Sequence, residues 1–160
     1  MILLGIGELG VTNIQGEVLK TLALGSCVST VFLHPTTRTI GMVHIALPDS
    51  SIGGANALER PGYFADTAIP ALIAEMKKKG CAENAKDMIV KLAGGAQIMD
   101  PKNTFNIGKR NVIAIKKILW SYGMGAVAEN VGGTYSRSVT VDVDTGRVVL
   151  SSPGKENWEI

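Results

Sequence analysis

Apolar positions recur along this chain with two different periods, one near two residues and one near 3.6. Val18 to Leu24 and Val28 to Leu33 are short apolar-rich runs separated by the small residues Gly25 and Ser26, and each reads as a strand. His34-Pro35-Thr36-Thr37 supplies a turn with Pro35 suited to position i+1 of a type I turn, and Thr39 to Leu47 returns as a third strand. Ala65, Ala68, Ile69, Leu72, Ile73 and Met76 then follow the i, i+3, i+4, i+7 spacing of one helical face. Lys77, Lys78 and Lys79 complement the dipole at the end of this helix, Gly80 closes it, and Pro70 inside it predicts a kink or a late start. A second helix is predicted on Val112, Ile115, Ile118, Leu119 and Tyr122, with Asn111 as its N-cap and Gly123 as its stop. Met88 to Ala93, Ala126 to Glu129, Ser138 to Asp144 and Val148 to Leu150 read as further strands, the last two joined by a Thr145-Gly146 turn. Strands therefore precede, separate and follow two amphipathic helices, which predicts a mixed α/β or α+β layered fold with much antiparallel pairing.

Composition narrows the class. The chain has 160 residues, 46% hydrophobic and 19% charged, which predicts one compact domain over 1–160 with no linker, repeat or low-complexity tract. Net charge is +2 and the lysine triplet is the one dense basic block, so a nucleic-acid partner is not expected. No apolar run reaches the roughly 20 residues of a membrane span, and the N-terminus lacks the pattern of a signal segment. Two distant cysteines, Cys27 and Cys81, fit a reducing cytoplasm better than a disulfide framework.

Cys27 lies at a Gly-Ser bend between two strands, and His44 lies on the strand after. If Pro35-Thr36 is a two-residue loop, the paired numbers sum to 71 and Cys27 stands directly opposite His44. A loop two residues longer makes the sum 73 and puts His44 diagonal to Cys27 on the same face. Cross-strand Cβ atoms are about 5 Å apart in direct pairs and about 7–8 Å apart in diagonal ones, so either register brings the side chains within reach. A one-residue bulge would send one of them to the opposite face. A thiol beside an imidazole is the minimum apparatus for cysteine nucleophilic catalysis: an imidazolium stabilises the thiolate and can protonate a leaving amine. The Gly25-Ser26-Cys27 bend could also aim backbone N–H groups at a developing oxyanion. Against this stands the plainer reading of a buried cysteine as a small hydrophobe and a strand histidine as structural.

Leu24-Gly25-Ser26-Cys27-Val28, then Gly41-Met42-Val43-His44 running into Leu47-Pro48-Asp49-Ser50, resemble the CheD family of bacterial and archaeal chemoreceptor glutamine deamidases. The similarity continues through Tyr63 to Ala68, Ala93 to Ala96, Asn106 to Asn111 and Gly132 to Val139, and spans about residue 1 to residue 150. The resemblance implies hydrolysis of side-chain amides of particular glutamines in methyl-accepting chemoreceptors, and with it methylesterase activity. It places the catalytic Cys and His on Cys27 and His44 and a supporting Thr on Thr21. It further implies a three-layer α/β/α fold akin to the toxin deamidases of the cytotoxic necrotizing factor type, and a regulatory partner, a CheC-type phosphatase. Ser136 departs from the Gly that many relatives carry there. A mainly non-catalytic adaptor, binding the phosphatase and receptors, is the alternative function class.

Other motifs carry less. Gly5-Ile6-Gly7-Glu8-Leu9-Gly10 fits G-x-G-x-x-G, yet no helix opens on it and no acid follows at the required distance, so no cofactor is expected. Cys27, His34 and His44 lack a fourth ligand and close ligand spacing, so no metal is expected, and His34 beside Pro35 reads as an exposed turn residue. Cys81 reads as a half-buried loop thiol. Arg110 and Arg137 read as solvated or structural, with carboxylate positioning as the competing role.

Overall fold

A computed structural model describes residues 1–52, 59–81, 87–98 and 105–160. Among the described residues, ten strands form two five-stranded sheets. The first sheet has the order β1-β3-β8-β9-β10, where β1 is Ile2–Leu4, β3 is Val18–Leu24, β8 is Arg137–Asp142, β9 is Val148–Ser151 and β10 is Trp158–Glu159. The second has the order β2-β5-β4-β6-β7, where β2 is Leu9–Thr12, β4 is Val28–His34, β5 is Thr39–Ile45, β6 is Ile89–Gly94 and β7 is Ala126–Val131. Both sheets are mixed: β1 pairs with β3 and β6 with β7 in parallel, and the other pairs are antiparallel.

Two long helices, α1 (Ala65–Lys78) and α2 (Ile107–Ser121), cover one face of the second sheet. Their apolar stripes meet Val28, Phe32, Val43, Ile45, Val90 and Leu92 in one core cluster. Val31, Leu33, Ile40, Met42 and Ala93 point the other way and pack against Leu19, Leu24, Val139, Val141 and Leu150 of the first sheet. The mixed α+β class with two main helices is therefore as expected. The layered arrangement is also as expected, with the described residues stacked as helices, sheet and sheet. Sandwiching also explains why every residue of β4 and β5 is buried, with no polar face turned to water.

Element limits differ in instructive ways. Helix α1 runs through Pro70, its sixth residue, without a later start. Helix α2 begins five residues earlier than its apolar pattern indicated; its N-cap is Asn106, in the left-handed region, and Asn111 lies inside the helix and is buried. Gly5–Gly10 bridges β1 and β2 and no helix opens on it. His34 is buried at the end of β4, where its Nδ1 meets Thr37 Oγ1 at 2.7 Å, and it is not an exposed turn residue. Cys81 is buried as well, with its sulfur 3.5 Å from Thr37 Oγ1.

Candidate active site

The chain leaves the first sheet at Leu24, turns through Gly25, Ser26 and Cys27, and enters the second sheet at Val28. A bulge in β3 between Thr21 and Leu24, with Ala23 at φ 52°, ends the regular ladder just before this bend. All three carbonyls of the bend are tied down. Gly25 O accepts from Ala96 N at 2.8 Å, Cys27 O accepts from Gly95 N at 2.8 Å, and Ser26 O accepts from Asn111 Nδ2 at 2.9 Å. The close approach requires glycine at Gly94, where φ is +116° and a Cβ would collide with the Cys27 carbonyl oxygen. Helix α2 comes as close to the same segment: a Cβ at Gly108 would strike the Gly95 carbonyl.

Strands β4 and β5 pair with numbers summing to 73, Val28 to Ile45 through His34 to Thr39, across a four-residue loop from Pro35 to Arg38. This is the longer-loop register. His44 stands opposite Ser29 and diagonal to Cys27, and Cys27 belongs to the inter-sheet core that β4 and β5 share with β3. Cys27 itself is half-buried, whereas His44 is only 3% exposed.

Thr21 reaches His44 from the facing sheet. Its Oγ1 lies 2.7 Å from His44 Nδ1 and donates to Leu4 O at 2.7 Å. A hydroxyl has one hydrogen, and Leu4 takes it, so Thr21 can only accept from the ring. The imidazole therefore carries its proton on Nδ1 and leaves Nε2 with a lone pair. Nε2 is buried and has no hydrogen-bond partner among the described residues. The His44 backbone is held equally well, by Gly7 N to His44 O at 2.8 Å and His44 N to Glu8 O at 3.1 Å. Gly7 and Glu8 of the 5–10 loop thus serve the placement of His44.

Burial sets the ionisation of the pair. It lowers the His44 pKa to about 4, with the nearby Glu8 carboxylate pulling weakly in the other direction. It raises the Cys27 thiol above its ordinary value, partly offset by the residue's own backbone amide. At neutral pH the resting pair is a thiol and a neutral imidazole, and not the thiolate and imidazolium that the residue types alone point to. Desolvation disfavours whichever form carries charge, and here it acts on both groups.

The other singled-out residues fall elsewhere. His34 pairs with Thr39 and His44 with Ser29, so the two imidazoles are about 17 Å apart along the hairpin and cannot share a metal with Cys27. Arg110 is exposed on α2. Arg137 is buried, donates from Nε to Asn130 Oδ1 at 2.6 Å and lies 4.2 Å from the Tyr135 ring centroid, a structural role that braces the loop after β7. Beside the Cys27 bend, Gly25, Ser26, Ala96, Ile98, Phe105 and Gly108 line a cavity of about 290 Å³, with Ile98 and Phe105 exposed at its rim. Sequence reasoning missed Asn111. The signal was present, since Gly108, Asn111, Val112, Ile115 and Leu119 share one buried face and an amide on an apolar stripe needs partners.

Residues 46–152 match the family described as CheD chemotactic sensory transduction. A protein of Syntrophotalea carbinolica named "Probable chemoreceptor glutamine deamidase CheD" is 50% identical over 159 residues, covering 99% of this chain and 98% of its own length. The chain belongs to the CheD family. A Solibacter usitatus protein of the same name is 42% identical over 155 residues, with 97% and 90% covered. The "Chemoreceptor glutamine deamidase CheD" of Thermotoga maritima is 40% identical over 151 residues, with 94% and 91% covered. The family match begins two residues after His44, so it takes in Asn111 and Arg137, whereas the whole-length similarity to these CheD relatives extends across Thr21, Cys27 and His44.

Proposed function

We propose that this chain is a protein-glutamine deamidase of chemoreceptors, with Cys27 as nucleophile, His44 as general base and acid, and Thr21 as the group that orients His44. The observation that carries the reading is the buried Thr21–His44 hydrogen bond, which fixes the tautomer and leaves Nε2 unpaired on the face that Cys27 shares. The likeness to relatives named as chemoreceptor glutamine deamidases supports the substrate.

The neutral resting pair favours proton transfer in step with attack over a preformed ion pair. Nε2 takes the thiol proton as sulfur adds to the amide carbon, and the imidazolium gives that proton to the departing nitrogen, which leaves as ammonia. A thioester of the former glutamine remains. Water, losing a proton to Nε2, adds to it; the sulfur leaves, recovers a proton from the imidazolium, and frees glutamate. The same steps would cleave a glutamate methyl ester with methanol as leaving group. Thr21 stays an acceptor on Nδ1 throughout and stabilises the imidazolium, the part an orienting residue plays in a triad.

The exposed Ile98 and Phe105 at the rim of the cleft offer apolar area beside the nucleophile, which suits a receptor helix. A CheC-type phosphatase is proposed as the regulatory partner on the strength of the family resemblance, and the cytoplasm as the site of action. The test is ammonia release, together with the mass change of an amide-to-acid exchange, on a receptor fragment. Cys27→Ala should abolish both with the fold intact. Retention of more than about a tenth of the rate in Cys27→Ala, a loss of under 1.4 kcal/mol in barrier, would remove Cys27 as nucleophile and favour the adaptor reading.

A further inference from the structure

Strands β4 and β5 stop pairing just short of the nucleophile. Their last pair is Val28 to Ile45, and one more step of the same register would set Cys27 against Ala46. That step is not made, because β5 peels away: Ala46 N and Leu47 N both turn to Tyr63 O, at 3.0 and 3.1 Å. The side chain of Asn111 stands where the next rung would be. Its Nδ2 donates to Ser26 O at 2.9 Å and to Ala46 O at 3.0 Å, so both of its hydrogens are spent on the two backbones that carry the reacting side chains. Ser26 precedes Cys27 directly, and Ala46 follows His44 by two residues.

We propose that Asn111 is a positioning residue that staples the Cys27 bend to the His44 strand and fixes the direction of the Cys27 amide. An inference about geometry alone, it rests on the reading of Cys27 as nucleophile and His44 as base for its effect on rate. Two features separate this from ordinary core packing. Asn111 is fully buried on the apolar stripe of α2, and its Oδ1 is buried without a partner. The unpaired carbonyl costs stability and offsets part of what Nδ2 gains by satisfying Ser26 O and Ala46 O, so the distinctive product of the amide is the join between the two backbones. The second feature is directional. A trans peptide points its C=O and N–H to opposite sides, so holding Ser26 O against α2 turns the Cys27 N–H away from the helix. That N–H then serves the sulfur, in keeping with the downward pull the Cys27 amide exerts on its own thiol. The same donor is in place for negative charge developing at the carbon that the sulfur attacks.

The experiment compares wild type, Asn111→Leu and Asn111→Ser in the full chain. Leucine keeps the volume and removes both donors; serine keeps at most one and covers the case in which leucine does not fold. Iodoacetamide labelling of Cys27 across pH is the first readout, because it needs no assumption about substrate. Labelling of the buried Cys81 reports opening of the fold in the same sample. Loss of the amide contact should slow Cys27 labelling at neutral pH by about tenfold, the effect of one pKa unit, with Cys81 labelling unchanged. On the receptor fragment, kcat should fall by about tenfold or more with KM within about twofold, as for an interaction made in the transition state. The serine variant should lie between. A folded variant with wild-type labelling and wild-type kcat overturns the proposal. Absence of ammonia release from wild type itself would overturn the deamidase reading instead, and the labelling profiles would still decide the role of Asn111.

Discussion

Cys27 and His44 are each ordinary residue types whose behaviour is set by being buried together. Because burial holds the His44 pKa near 4, the imidazole stays a competent base well below the usual histidine range. The acid limb of kcat/KM, which reports the free enzyme, should therefore fall near pH 4 rather than near about 6.5. A limb near the ordinary histidine value would show that the resting His44 is solvated. The raised thiol has the opposite signature: labelling of Cys27 should keep rising with pH beyond the ordinary thiol range of about 8.5. Thr21 acts through His44 and carries no charge. Thr21→Ala should lower kcat by less than Cys27→Ala does, and Thr21→Ser should recover part of the loss because serine keeps the accepting oxygen. A Thr21→Ala variant with wild-type turnover would leave the 2.7 Å contact to Nδ1 without a catalytic consequence.

At the scale of elements, what was legible in the sequence depends on how each element is stabilised. Strands β3 and β4 and helix α1 announce themselves, because their own apolar periodicity drives them into a core. The hairpin register was narrowed to two sums by arithmetic, and loop length decided between them; the positive φ of Arg38, which closes the four-residue turn, is not something arginine signals. Strands β1 and β2 have four residues or fewer and exist by pairing with β3 and β5, while β10 is two residues long and pairs with its neighbour β9, so local pattern cannot reveal them. The Thr21 contact was equally silent, since it joins two sheets and only a resemblance pointed to Thr21. Glycine placement is the other hidden determinant. Gly94→Ala combines a left-side φ with a collision against the Cys27 carbonyl, and it should cost roughly 1–3 kcal/mol of stability. It should also lower activity, because the atom that must move belongs to the backbone of Cys27, the proposed nucleophile. Denaturant unfolding and the ammonia assay together check both parts; an unperturbed stability would mean the 94–95 segment yields without strain.

For the whole molecule, the two sheets and the helix layer bring three distant stretches of chain to one edge of the inter-sheet core. The Cys27 thiol sits half-open there, while the His44 imidazole lies 3% exposed behind it. The cavity beside the Cys27 bend is lined mostly by apolar atoms, with Ile98 and Phe105 exposed at its rim. A primary amide is a poor electrophile, so binding energy from parts of the substrate remote from the amide has to hold the carbonyl against the sulfur. Free glutamine supplies none of that energy, and a short unstructured peptide loses much of it to ordering. A folded helical receptor fragment supplies apolar surface already arranged. The expected order of kcat/KM is therefore helical fragment far above unstructured peptide, with free glutamine lowest, separated by at least about a hundredfold from the fragment, or roughly 3 kcal/mol of remote binding. Replacing Phe105 or Ile98 by Ser should lower kcat/KM on the fragment and leave the slow hydrolysis of free glutamine unchanged. Efficient turnover of free glutamine, or equal loss on both substrates, would show that the cleft does not supply the positioning energy and that recognition lies elsewhere on the surface.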